Sequence, residues 1–171
     1  SATSSSTANV AWADPNSSSE WEVSYGATGF TAGAGTEVSV FTTSITTLSG
    51  LTAETDYDVY VRAICAVGDT SDWSAVASFT TPCADIVPAY LEDFTAGYQP
   101  TSCWSQGTGG SPATGPTSTG SSGWGTDGLA NAGFSGAARI NIWGSSGTDW
   151  LITPSFDLSS GGPWEANFNV A

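Results

Sequence analysis

The stretch that most constrains this chain is residues 51–62, LTAETDYDVYVR. Tyr57, Val59 and Val61 fall on one face of an extended chain, and Asp58, Tyr60 and Arg62 fall on the other. Alternation with period two over this length predicts a strand with one buried face. Tyr57 opens that strand directly after a turn. A tyrosine placed there buries its ring and bonds its hydroxyl back to the backbone of the corner it has just rounded. The expected architecture is two sheets packed face to face.

Shorter alternating segments surround this strand, separated by turn signals. Val10 and Trp12 share a face before Asp14, Pro15 and Asn16 interrupt the pattern, and WEVSY at 21–25 stops at Gly26. Val38 and Val40 alternate with Glu37, Ser39 and Phe41; residues 44–48 carry Ile45; residues 73–81 offer Val76 and Phe79 for burial. With the corner strand, taken to about Cys65, these make six short strands and no helical period. That pattern predicts an all-β sandwich.

Charge narrows the range of partners. The 16 acidic residues face only two arginines, Arg62 and Arg139, with no histidine, for a net charge of −14. Such a field repels nucleic-acid phosphates and anionic lipid surfaces, so neither is an expected partner. No run of about 18 apolar residues predicts a membrane-inserting helix. Charged residues make up 11% of the chain, against about 25% in an average domain; Ser, Thr, Gly and Ala take their place, as in many secreted β-proteins. The chain opens at Ser1 in polar sequence without a signal peptide, and reads as a mature or excised piece of something longer.

In chain order, Trp12, then WEVSY, LSGLTAETDYDVYVRA and SDWSAVASFTT resemble a fibronectin type III domain over residues 1–82. Trp12 corresponds to the core tryptophan of its second strand, Leu51 and Tyr57 to its corner, and Trp73, Ser74, Phe79, Thr80 and Thr81 to its last strand. The first strand is missing or reduced to residues 1–7. The resemblance implies an immunoglobulin-like sandwich acting as spacer or binding module. Residues 67–71, VGDTS, contain no arginine, so integrin-type recognition is not expected.

Thr81, Pro82 and Cys83 mark a boundary, leaving residues 83–171 as a second module. Residues 105–128 are rich in Ser, Thr, Gly and Pro and read as a long loop carrying Trp124. Alternation returns at 138–143 and 164–170, and residues 149–152 read as a short strand. YLEDF at 90–94, Cys103 and Trp104 after a proline, and DWLITPSFDL at 149–158 resemble the start of jelly-roll modules of the MAM and cleaved-adhesin kind. A jelly roll has eight strands and about five are visible, so the resemblance implies a partial jelly-roll β-sandwich completed by further chain or by a partner.

That resemblance also implies a setting. Such modules recur beside fibronectin-like repeats in large surface proteins of gliding and biofilm-forming bacteria, exported by the type IX route. Expected partners are glycans or surfaces and the secretion or anchoring machinery, and the expected location is extracellular or on the outer cell surface. Jelly-roll adhesin modules often hold a structural calcium, and Glu92, Asp93 and Asp149 are the acids inside the matching motifs. The function implied is adhesion without turnover; the alternative is an accessory or spacer region of a secreted hydrolase or peptidase.

Three cysteines leave one odd. If Cys83 follows the neighbour of the corner strand it lies opposite about Tyr57, some eight residues from Cys65. At ~3.3 Å per residue that is ~26 Å, beyond the ~7 Å limit for bridged Cα atoms. Cys83 with Cys103 is the better pair, leaving Cys65 for a partner upstream of Ser1; three buried thiols are the alternative.

Without histidine or lysine there is no Ser–His or Cys–His pair and no histidine zinc site, so no enzyme activity is expected. Of eight tryptophans, Trp12, Trp21, Trp73, Trp150 and Trp164 lie on predicted strands and are expected in the core, while Trp104 and Trp143 are left open. Trp124, in the Gly/Ser loop, is expected to be exposed and is the candidate platform for a sugar ring.

Overall fold

The computed structural model describes residues 1–99, 101–126, 136–140 and 147–168, which hold twelve β-strands and no helix. No helix among them is long and apolar enough to cross a membrane. The chain divides into two compact units, Ser1–Ala84 and Asp85–Ala171, two residues later than the sequence boundary.

In the first unit, β1 (Thr7–Ala11) pairs antiparallel with β4 (Ile45–Ser49), placing Ala8 opposite Leu48. The second sheet runs β3 (Thr36–Phe41), β2 (Glu20–Ala27), β5 (Asp56–Ala66), with Val23 opposite both Val38 and Val61. β5 is long enough to pair with β6 (Asp69–Thr70) near its end and with β7 (Ala77–Thr80) near its start. The core follows from the alternation: Ala8, Val10, Val23, Val40, Leu48, Leu51 and Val59 form one buried cluster, with Trp12, Tyr57, Val61 and Phe79 packed at its rim. Leu48, 1% exposed, has the burial that is worth about 1.5–3 kcal/mol for an aliphatic side chain.

The corner forms as expected. The Thr52 backbone N–H donates to the Tyr57 hydroxyl oxygen at 3.0 Å, and the Tyr57 ring stacks on Phe79 with centroids 5.5 Å apart. Thr81, fully buried, adds a second tie: its hydroxyl donates to the Thr52 carbonyl at 2.6 Å and accepts from the Thr55 N–H at 3.0 Å. The Leu51 N–H donates to Ser6 O at 3.0 Å, joining the corner to the approach to β1.

Ahead of β1, Ala2 makes an antiparallel bridge with Ala8 and the Ser1 ammonium donates to Asn9 O at 2.9 Å. Several local expectations are corrected. Tyr57 faces Phe79, not Cys83, because β7 ends at Thr80 and Cys83 lies beyond it. Ile45 is 52% exposed, since the buried position of β4 belongs to Leu48. Val76 is exposed because it precedes β7. Trp73 packs outside the core cluster, beneath the Arg62 guanidinium at 4.4 Å, and Arg62 also pairs with Glu22.

In the second unit, β8 (Ser105–Thr108) lies between β12 (Asp149–Ile152) and β9 (Ser118–Thr119), antiparallel to both. β10 (Trp124–Thr126) pairs with β11 (Ala138–Ile140). Ile86 makes a parallel bridge with Phe156, its N–H donating to Ser155 O at 2.8 Å. Residues 105–126 are thus not one loop. Their order comes from close backbone approach and hydroxyl bonding instead of apolar burial: Gly107 sits against Pro116 where a Cβ would collide, and Thr117 Oγ1 donates to Thr108 O at 3.2 Å. Residues 164–168 form no strand, and Trp164 is 42% exposed. Trp143, Asn169 and Val170 lie outside the described residues.

Two substitutions test this arrangement. Tyr57→Phe keeps the stacked ring and removes one hydrogen bond, so denaturant titration is expected to show a loss of about 1 kcal/mol in the first unit. Leu48→Ala is expected to cost about 2–5 kcal/mol, because the sandwich around it cannot fully close the cavity.

Candidate functional site

The residues singled out by the sequence in the second unit gather around two turns and one buried amide. Trp104 is 6% exposed and meets Phe94 edge to face at 5.5 Å. Phe94 adopts a left-handed backbone, φ 54°, a conformation that costs about 1–3 kcal/mol outside glycine. Glu92 holds it there: Oε1 accepts the Phe94 N–H at 2.7 Å, while Oε2 accepts the Tyr90 hydroxyl at 2.5 Å. Burial, and then the Glu92 carboxylate, push the Tyr90 phenol above its ordinary value. Asp93 closes the turn, with Oδ1 accepting the Thr95 N–H at 3.0 Å and its hydroxyl at 2.8 Å; these bonds hold its carboxyl below the ordinary range.

Gln106, on β8, is the hub beside this turn. Its amide nitrogen donates to Tyr98 Oη at 2.9 Å and to Gln99 Oε1 at 3.0 Å. Its carbonyl accepts the Ser122 N–H at 3.2 Å and hydroxyl at 2.6 Å. A primary amide has two donors and two acceptor sites, and all four are used. Ser122 Oγ accepts the Trp124 N–H at 3.2 Å, and Asp149 Oδ1 accepts the Gly123 N–H at 2.9 Å. Trp150 is anchored by its indole N–H, which donates to Gly109 O at 2.7 Å.

Glu92 and Asp93 are therefore acceptors in local turns, and Asp149 is the acceptor of a long-range bond from Gly123. Their oxygens suit a hard cation such as calcium. The gathering that would complete a ligand set is not seen: among the described residues, none of Glu92, Asp93 and Asp149 belongs to a group of three His, Cys, Asp or Glu side chains with ligand atoms within 4.8 Å of one another. Trp124, expected on an exposed loop, is half-buried on β10 opposite Ile140, with its indole nitrogen enclosed. Cys83 and Cys103 are disulfide-bonded, and Cys65 is free and exposed. Gln106 went unremarked in the sequence, although it shares strand parity with Trp104, which was the signal that it faces inward.

The fold and these sites define an all-β protein whose first unit is an immunoglobulin-like sandwich and whose polar side chains serve as structural ties. Residues 1–80 match the family model of the fibronectin type III domain. No curated protein matches the chain. Among solved structures, the chicken CNTN1 FN1–FN3 domains are 24% identical over 48% of this chain, with a TM-score of 0.44; the overlap spans 28% of that chain. The FN5 domain of Drosophila Lar is 22% identical, covering 49% of this chain and 89% of that one, with a TM-score of 0.42. A myokine structure is 21% identical over 47% of this chain and 86% of that one, with a TM-score of 0.40.

The amide hub gives a direct test. Gln106→Ala strands the Ser122 and Tyr98 hydroxyls and the Gln99 side chain, so the second unit is expected to lose about 1–3 kcal/mol. Denaturation followed by tryptophan fluorescence would read this loss; an unchanged midpoint would show that the hub carries no stability.

Proposed function

We propose that this chain is a non-catalytic region of a large secreted cell-surface adhesin, acting in surface attachment through contacts made by its second unit. The observation that carries this reading is the fibronectin type III match over residues 1–80, a module typical of extracellular and adhesive proteins. It is supported by the disulfide-bonded Cys83 and Cys103, since such bonds persist in oxidising compartments, and by a surface built of Ser, Thr, Gly and carboxylates with a net charge of −14. The adhesin setting, export by the type IX route and the jelly-roll reading of the second unit rest on the YLEDF and DWLITPSFDL resemblances.

Glycans are the proposed ligand class, with Trp124 as an aromatic contact, and calcium is the proposed cation, with Glu92, Asp93 and Asp149 as its nominated acids. The carboxylates bring the oxygen chemistry a hard cation requires. A glycan array probed with this chain is expected to give hits that weaken at least tenfold with Trp124→Ala; an array without hits overturns the glycan assignment. Calcium is expected to raise the melting temperature of the second unit and EDTA to reverse the rise. Identical melting curves with and without chelator would remove the metal.

A further inference from the structure

The connection between β2 and β3, residues 28–35, does not project into solvent but lies back over the outer face of its own sheet. Its first residue is tied to β5, the Thr28 N–H donating to Asp56 O at 3.1 Å, and four further contacts hold the rest. The Gly29 N–H donates to Asp58 Oδ2 at 2.8 Å. The Gly33 N–H donates to Ser24 Oγ at 3.2 Å. The Phe30 ring meets Tyr60 edge to face at 5.3 Å. Gly33 sits at the edge of the Trp73 indole, where an added Cβ would lie 3.4 Å from the ring. This cover explains why Ser24, on the outward parity of β2, is 0% exposed and Asp58, on the outward parity of β5, is 6% exposed. Gly26 and Gly35 make it possible, since a Cβ at either would press on the Phe30 ring.

We propose that residues 28–35 are a strap, fastened to the outer sheet face through Asp58, that opens in acid as a unit before the sandwich itself unfolds. The strap contributes little apolar burial beyond Phe30, and past the Thr28 N–H, which donates to Asp56 O at 3.1 Å, its hydrogen bonds to the sheet face go to two side-chain acceptors, Asp58 and Ser24. Segments with few buried contacts open at lower free energy than the core they cover. Asp58 is the acceptor that titrates. Its second oxygen accepts the Ser78 hydroxyl on β7 at 2.5 Å. The Ser78 hydroxyl and then the Gly29 amide hold its carboxyl below the ordinary value. A depressed carboxyl favours the closed form above the unperturbed value of about 3.9, and that preference disappears as pH falls through the lowered value.

The other charged groups around the strap do not duplicate this role. On β2, Glu22 pairs with Arg62 of β5, and Glu20 lies at the far end of the strand. On β5, Asp56 accepts the Thr80 hydroxyl. Glu37 lies on β3 opposite Ser24. β7 and the strap carry no charged residue. Opening uncovers Tyr60 and Trp73, so the device alters which aromatic surface the first unit presents.

The test is hydrogen exchange by NMR on the whole chain, with protection factors corrected for intrinsic rates at pH 6 and pH 3. Gly29 and Gly33 are expected to lose protection severalfold at the lower pH, up to the roughly ninefold that one carboxylate of ordinary value about 3.9 can supply at pH 3, while interior amides of β2 and β5 keep theirs. Asp58→Asn removes the titrating group and is expected to flatten the dependence. Ser78→Ala, which leaves the carboxylate but removes its strongest donor, is expected to move the opening to higher pH. Gly29 and Gly33 losing protection only together with β2 and β5 would overturn the proposal, as would an Asp58→Asn profile identical to the parent.

Discussion

The hydrogen bond from the Thr52 N–H to the Tyr57 hydroxyl is the tie that sets the register of the first unit. It sets where β5 begins, and β5 is the strand that β2, β6 and β7 all pair with. A one-residue slip of β5 would turn Tyr57, Val59 and Val61 to solvent and Asp58, Tyr60 and Arg62 into the core. The corner prevents this by fixing the first residue of the inward set. Thr81 reinforces it from the other side, because one buried hydroxyl bridges Thr52 and Thr55. The register of one strand then dictates both the core cluster and the outer face on which residues 28–35 rest.

The charge imbalance shapes how the remaining polar groups are satisfied. Sixteen acids cannot be paired by two arginines. Carboxylates instead accept from backbone N–H and hydroxyl groups nearby: Asp14 from Asn16 and Ser18, Asp93 from Thr95, Asp149 from Gly123, Asp157 from Ser159. Such bonds favour the ionised form and lower the carboxyl pKa, the direction seen at Asp14, Asp58, Asp93 and Asp157. Each of these contributes stability that is complete above its ordinary pKa and lost as pH falls through the lowered one. The abundance of Ser, Thr and Gly therefore supplies the donors that lysine and arginine supply elsewhere.

Alternation made β2, β3 and β5 legible, since each keeps period two over at least four residues and β-branched or aromatic side chains mark one face, while β12 was legible as a short apolar run stopped by Thr153 and Pro154. The corner was legible because Tyr57 follows a turn at a fixed offset. Residues 105–126 were misread because composition reports what apolar area can be buried. It does not report that glycines let two backbones meet and that hydroxyls can satisfy the turns between them. The strap was missed for a related reason: TGFTAGAG has the composition of an open loop, and only the three-dimensional closeness of Phe30 to Gly26 and Gly35 shows that it lies flat. The site residues were harder still. Glu92 and Asp93 are neighbours in sequence, but what each carboxylate does depends on donors that no spacing rule identifies.

These features assign different physical roles to the two halves of the chain. In the first unit the core rests on apolar burial and the corner on neutral hydrogen bonds, which salt does not screen and mild acid does not titrate. Asp58 is the titratable tie of the strap, and what it holds is peripheral to that scaffold. In the second unit, order rests on polar ties: the Gln106 amide, the Glu92 turn and the Asp149 bond to Gly123. A network of that kind fixes side-chain geometry through directional bonds and loses several partners when one member is removed. Recognition requires that kind of geometric definition, whereas a spacer requires only that its sheets stay in register. In the proposed adhesin, contact chemistry accordingly falls to the polar network of the second unit and mechanical persistence to the corner of the first.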